Sequence, residues 1–240
     1  MIKLAISGCQ GRMGQRIKLL AFQDRTFKVS ALLEHPDHPL FNKKISKLPI
    51  YSDAFLALKS SNVLIEFTTP EATIEHISAC LKNKVNMVIG TTGLNEAEIK
   101  TIKAASKKIA IVFSSNMSVG VNILFKLTEL TASKTKMLYT INMTEAHHVH
   151  KKDAPSGTAK TLAQIAEAAS GQKVHNIRSI REGEIIGDHT VIFESEEDII
   201  TLTHQAKTRD IFAKGALVAA KFLVKKKNGL FNMQDVLGLK

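Results

Sequence analysis

The sequence of 240 residues has no tryptophan, two tyrosines, two cysteines and five prolines. The two cysteines, Cys9 and Cys80, lack the number and spacing of a disulfide framework or a zinc site and read as reduced thiols. Aromatic residues make up only 5 % of the chain, too few for the base-stacking platforms of single-strand nucleic-acid binders. Arginine is scarce too, supplying six of the 33 basic residues. The net charge of +11 therefore rests on scattered lysines, which lack the planar forks that read bases. It reads as a solvated surface whose field draws small anions, with no nucleic acid expected. No apolar run approaches the ~18 residues of a membrane span. The opening residues Met1–Gly8 are broken too early for a secretory core, so no membrane and a cytoplasmic location are expected.

What is present is ordinary globular composition, 44 % hydrophobic and 23 % charged. Over the first 115 residues, short apolar runs alternate with helical spacing. Residues 2–7, 29–33, 63–67, 87–89 and 109–113 read as strands; 12–23, 71–82 and 95–107 read as helices. Strands buried on both faces with helices between them predict a parallel sheet. After Asn116 the rhythm changes. Helices are expected over 119–134 and 157–169, and strands over 137–146, 174–181, 189–194 and 198–204. That pattern predicts an α+β domain with an open mixed sheet. Helical spacing returns at 211–225. The expected division is 1–117 together with 210–240, and 118–209 between them.

The first strand runs into Gly8-Cys9-Gln10-Gly11-Arg12-Met13-Gly14, spaced G-x-x-G-x-x-G before a helix. This is a variant of the dinucleotide fingerprint of Rossmann-type α/β domains. One glycine makes the tight turn, one lets a pyrophosphate approach the backbone, and one lets helix pack on strand. The helix start then offers free N–H groups and positive partial charge to phosphates. Glu34 ends the second strand 20 residues after Gly14, where a carboxylate accepts hydrogen bonds from ribose hydroxyls. Two later loops, Gly90-Thr91-Thr92-Gly93 and Ser114-Ser115-Asn116-Met117, follow strands of the same sheet. Ligands sit outside the carboxyl ends of such strands, and small or hydroxyl residues there admit a flat ring. Either loop alone is also ordinary turn chemistry.

The densest chemistry is Glu145-Ala146-His147-His148-Val149-His150-Lys151-Lys152-Asp153-Ala154-Pro155-Ser156-Gly157-Thr158. A metal site is one reading, but adjacent histidines diverge on a strand and no further ligands complete a shell nearby. A solvated polar loop is another. The third is an anion site. Ser156 fits an N-cap, Gly157 opens the first-turn amides to a ligand, and Thr158 adds a hydroxyl. Lys151 and the histidines bring cationic donors that also transfer protons near neutral pH.

These motifs together resemble the dihydrodipicolinate reductase (4-hydroxy-tetrahydrodipicolinate reductase) family of lysine and diaminopimelate biosynthesis. They are GCQGRMG at 8–14, EFTTPEAT at 66–73, VIGTTG at 88–93, SSNMSVGVN at 114–122, EAHHVHKKDAPSGTA at 145–159 and GLFNMQDVLGL at 229–239. The resemblance implies a Rossmann-type domain completed by the C-terminal segment, and a central domain for substrate and oligomerisation. It implies a homotetramer whose domains close on a hinge. It implies NADH or NADPH as cofactor, held by Gly8, Cys9, Gln10, Gly11, Arg12, Met13, Glu34, Gly90, Thr91, Thr92, Ser114, Ser115, Asn116 and Met117. It implies hydride transfer to a small cyclic dicarboxylate. His147 and Lys151 would be the catalytic proton-transfer pair, and His148, Gly157 and Thr158 would hold substrate.

Two departures from the family pattern stand out. Members that use both cofactors often carry a basic residue after the ribose-binding acid, whereas His35 follows Glu34 here. An imidazole partners a 2′-phosphate poorly, so NADH is expected to be preferred unless Arg12, Lys43 or Lys44 reaches that phosphate. The chain is also short between 34 and 50 and between 180 and 190, as if loops had been trimmed. The rival readings are another two-domain dehydrogenase acting on an amino acid or semialdehyde, and a nicotinamide-sensing or nucleic-acid-binding regulator. The first has no need of the 145–158 segment, and the second lacks a recognition element.

Overall fold

The computed structural model of the chain describes residues 1–39, 41, 45 and 48–239. The first half runs β1 (Ile2–Ile6), α1 (Arg12–Gln23), β2 (Phe27–Leu33), β3 (Ile50–Tyr51), α2 (Ala54–Ala57), β4 (Val63–Glu66), α3 (Pro70–Asn83), β5 (Asn86–Ile89), α4 (Glu96–Ala105) and β6 (Ala110–Phe113). The second runs α5 (Val119–Thr135), β7 (Thr140–His147), α6 (Gly157–Ser170), β8 (Asn176–Arg181), β9 (Asp188–Glu194), β10 (Ile199–Gln205), α7 (Asp210–Leu223), β11 (Gly229–Phe231) and α8 (Met233–Leu237). The described residues form two compact units, Met1–Ser118 with Phe212–Gly238, and Val119–Ile211.

The first unit is built on a seven-stranded sheet in the order β11-β6-β5-β4-β1-β2-β3. Every pairing in it is parallel. The strands are apolar without alternation because both faces are covered: Val63, Leu64 and Ile65 are all fully buried. Burial of each such side chain stabilises by about 1.5–3 kcal/mol before entropy is counted. Local chemistry sets the helix ends. Thr69 accepts the Ala72 N–H with Pro70 in the first turn of α3, and Lys84 closes that helix in a left-handed conformation. Asn95 and Glu98 form a capping box on α4. The chain leaves β1 in one direction through β2 and β3, then crosses to β4 and continues the other way. The strand order thus reverses beside β1, the place at whose carboxyl edge open α/β sheets bind ligands.

The second unit holds a four-stranded mixed sheet, β10-β9-β7-β8, in which β7 and β8 are parallel and the other pairs antiparallel. Helices α5 and α6 cover one face, with Leu124, Phe125 and Leu162 packed on Met143, Val191 and Phe193. Along β7 the buried phase is Ile141, Met143, Glu145, His147. The sequence leads that phase from apolar to charged side chains, so the end of β7 must supply polar partners inside the unit.

Both sheets are therefore the kinds the sequence predicts. The alternation does not foretell β3, α2, β11 or α8, which are too short to express a period. Lys43 and Lys44 lie outside the described residues. Among the described residues no helix is long and apolar enough to cross a membrane.

Candidate active site

The glycine turn lies between β1 and α1 at the carboxyl edge of the parallel sheet. Gly8 has φ +58°, a conformation that side chains strain. A Cβ on Gly14 would stand 2.0 Å from the Gly8 carbonyl oxygen, so glycine alone lets α1 start this close to the strand. No side chain among the described residues caps the start of α1 at Gly11, which leaves its first-turn amides for a ligand. Glu34 faces the turn from the end of β2: its carboxylate accepts the Gln10 N–H at 2.8 Å and the His35 N–H at 3.0 Å. The His35 ring turns to Asp37, accepting that residue's N–H at 3.3 Å. Cys9 is fully buried. Burial first, and the Glu34 charge next, push its thiol up to about 11, so it is an unreactive packing group. Arg12 is exposed in the first helical turn, and Met13 is half-buried.

The other two loops leave the same edge. Thr91 is buried, and its hydroxyl accepts from the Thr68 N–H at 3.2 Å and the Thr73 hydroxyl at 3.0 Å. It ties the loop after β5 to the loop after β4, while Gly90 bonds back to Glu66 and Thr92 is exposed. In the last loop the Ser114 hydroxyl bonds to the Asn116 carbonyl at 3.0 Å, the Asn116 side chain accepts the Ser118 N–H, Ser115 is exposed and Met117 is buried. Beneath these loops lies a pair the sequence reading missed. Glu66 is fully buried, 2.5 Å from His76 Nδ1, and it also accepts the Thr68 hydroxyl. Burial works against a charged imidazole there, but the bond to Glu66 and its charge outweigh burial and raise the His76 pKa. The open turn, uncapped helix start and facing carboxylate fit a dinucleotide.

In the second unit, His147 ends β7 and is buried; its Nδ1 lies 2.5 Å from Glu145 Oε2. Glu145 is 1 % exposed, and its other oxygen accepts from Arg181 Nη2 at 2.9 Å and from the Ser156 N–H at 3.3 Å. Burial disfavours its charge, but Arg181, the Ser179 hydroxyl and His147 outweigh burial and hold the carboxyl below its usual range. For His147, burial is the largest influence and lowers the pKa, partly offset by Glu145. His189 on β9 packs edge-on to His147 with centroids 5.2 Å apart, and its Nε2 lies 3.2 Å from the Ser156 hydroxyl. Burial brings its pKa down to about 4, so the ring is neutral at physiological pH. Ligand atoms of Glu145, His147 and His189 lie within 4.8 Å of one another. Strand pairing supplies that third group from a distant stretch of chain, which short-range spacing could not reveal. Arg181 already balances the carboxylate, which works against a cation there.

The segment after β7 folds back over this cluster. Lys151 Nζ pairs with Asp153 Oδ1 at 2.8 Å. The Lys151 ammonium, burial acting against it, and the Gly157 amide among others hold Asp153 below the usual carboxylate range. Arg181 also donates to the Lys151 and Asp153 carbonyls. Ser156 caps α6, accepting the Ala159 N–H, as its place in the sequence predicts. A Cβ on Gly157 would meet nothing within 4 Å, so no bulk crowds that residue, while the Asp153 carboxylate and the Ser156 hydroxyl engage first-turn amides. His148 is half-buried, its Nδ1 shielded and without a partner. Thr158 is half-buried in the first turn of α6. The unit thus links His147 through Glu145, and Lys151 through Asp153, to the helix start that holds Gly157 and Thr158, while the His148 ring packs beside His150. It adds Glu145, Arg181, His189 and Asp153, of which Glu145 and Asp153 lie in the same segment and had a local signal, Glu145 by sharing a strand face with His147 at i, i+2.

Comparison with known proteins identifies the family. Residues 2–117 match the family model for the dihydrodipicolinate reductase N-terminus, and residues 120–237 match that for its C-terminus. A 4-hydroxy-tetrahydrodipicolinate reductase of Nitrosomonas eutropha is 41 % identical over 266 residues, covering 100 % of this chain and 99 % of the relative. One from Pelagibacter ubique is 40 % identical over 259 residues, with 100 % and 99 % covered. The fold is also that of a dipicolinate-bound dihydrodipicolinate reductase from Paenisporosarcina sp., with a TM-score of 0.84, 24 % identity and 98 % of both chains covered. With both halves matched in order over nearly its whole length, the chain belongs to the dihydrodipicolinate reductase family.

Proposed function

We propose that this protein is a 4-hydroxy-tetrahydrodipicolinate reductase of lysine and diaminopimelate biosynthesis. A bound nicotinamide dinucleotide supplies the hydride. Residues 1–117 with 210–240 bind that cofactor, through the turn Gly8–Met13, Glu34, the loop Gly90–Thr92 and the loop Ser114–Met117. Residues 118–209 bind the cyclic dicarboxylate and form the oligomer. The observation that carries the reading is the carboxylate-held His147 together with the Lys151–Asp153 pair at the start of α6. His147 delivers a proton to the ring under reduction, so that no free anion forms. The Lys151 ammonium stabilises charge that develops on the substrate. His148, Thr158 and the Gly157 amide hold a substrate carboxylate at the helix start. The Glu145–Arg181 pairing favours this proton-handling role for the cluster over a metal site.

NADH is the preferred cofactor on this reading. The Glu34 carboxylate repels a 2′-phosphate, and the His35 ring is engaged with Asp37. The protein acts in the cytoplasm as a homotetramer. The sheet face opposite α5 and α6 supports assembly: it carries Asn142, Thr144, Thr190 and Thr203, which are half-buried or exposed. Sedimentation analysis tests the tetramer. The activity test couples the upstream synthase, pyruvate and aspartate semialdehyde to this protein and follows reduced-cofactor absorbance with NADH and NADPH in parallel. Synthase-dependent consumption, faster at equal low concentration with NADH, is expected. Absence of consumption with both cofactors would refute the function, and a higher kcat/KM with NADPH would refute the preference.

A further inference from the structure

The His147 ring has two nitrogens, and the fold treats them differently. Nδ1 points at Glu145 from 2.5 Å. Glu145 is an acceptor only: Arg181, Ser179 and the Ser156 amide all donate to it and keep it ionised. The hydrogen on that side must therefore sit on Nδ1. Nε2 lies close to Gly187, where an added Cβ would stand only 3.0 Å away, so glycine at that position is what leaves room beside this nitrogen. The charged groups around the ring are Glu145 on its own strand, Arg181 at the end of β8, and Lys151 in the loop after β7. His189 from β9 is neutral and cannot compete as a cation.

We propose that Glu145 is a positioning residue: its buried carboxylate holds the Nδ1–H of His147 and makes Nε2 the one atom through which this ring exchanges a proton. Arg181 completes the device. One guanidinium binds Glu145 and the carbonyls of Lys151 and Asp153, and so sets the ring and the loop bearing Lys151 in a common frame. A carboxylate bonded to the far nitrogen of an imidazole fixes its tautomer and stabilises the imidazolium. The role assigned to Glu145 rests on His147 being the proton donor of the proposed reaction.

Two measurements on the full-length protein test this. In the wild type labelled with 15N-histidine, long-range proton–nitrogen correlations above the titration of His147 read its tautomer directly. The signals are assigned by their loss in His147→Asn. A protonated Nδ1 and bare Nε2 are expected; a protonated Nε2, or a mixture, overturns the proposal. This readout needs no turnover, so it stands apart from the assay of function. In Glu145→Gln the charge is lost and the shape kept. We expect kcat to fall roughly 10-fold or more with KM for the dicarboxylate unchanged. The descending basic limb of the kcat/KM profile should move to lower pH, because the carboxylate no longer stabilises the imidazolium. A loss confined to KM, or lost activity with an unmoved pH profile, assigns Glu145 a merely structural role and overturns the proposal. If Glu145→Gln does not fold, the wild-type tautomer decides alone.

Discussion

Replacing Gly14 by alanine should disable the glycine turn, and the structure sets the size of the effect. The new Cβ would stand 2.0 Å from the Gly8 oxygen, 2.7 Å from the Gly8 carbonyl carbon and 2.8 Å from Cys9 Cα. All three are backbone atoms, and the turn is pinned: Ser7 N–H bonds to Ile65, Cys9 N–H to Leu33 and Gly11 N–H to Gly8. The turn cannot yield, so α1 must retreat by roughly 1 Å in an interior packed like a crystal. That motion drags Ile17 and Ala21, which are at most 1 % exposed, off the sheet. Overpacking of this kind costs about 1–3 kcal/mol. Alanine returns up to about 1 kcal/mol of helix propensity. The steric term wins, and Tm should drop by about 2–4 °C per net kcal/mol for a chain of this size. The displaced helix start also weakens NADH binding. Calorimetry and NADH fluorescence titration read the two effects. A Gly14→Ala protein with wild-type Tm and wild-type NADH affinity would refute the reasoning.

Three further outcomes follow from other sites. His76 has a raised pKa in the folded protein, so the stability from its pair with Glu66 is full below the unfolded value and is lost as pH rises through the folded one. The urea-unfolding gap between wild type and His76→Asn should therefore be larger at about pH 6 than at about pH 9; a gap that widens with pH contradicts the assignment. Asp153 pairs with the Lys151 ammonium at 2.8 Å; if an anionic substrate must displace it there, Asp153→Asn should lower KM for the dicarboxylate without raising kcat, and a raised KM would show that Asp153 supports the loop instead. Lys151→Ala should reduce kcat far more than it weakens NADH binding, and its combination with His147→Gln should be less than additive, as for groups acting as one unit; strict additivity would separate their roles.

Much of the architecture is local and could be read from the chain. Apolar runs without alternation, such as Val63-Leu64-Ile65, encode strands covered on both faces, because only that environment tolerates them. Gly8, Gly11 and Gly14 encode a turn because their spacing answers steric demands within a few residues. Ser156 encodes a helix start by the same logic. The 145–158 segment brings its histidines, lysine and helix start together because they are close in sequence. Only tertiary structure decided what holds them. Arg181 and His189 reach Glu145 and His147 through the pairing of β8 and β9 with β7, and pairing partners leave no short-range signature. The same holds for Glu66 and His76, joined by the packing of α3 on β4. Charge and tautomer at these sites follow from burial and from partners both near and far along the chain. The sequence therefore determined which chemical groups are available, and the fold decided that Nδ1 of His147 faces the Glu145 carboxylate.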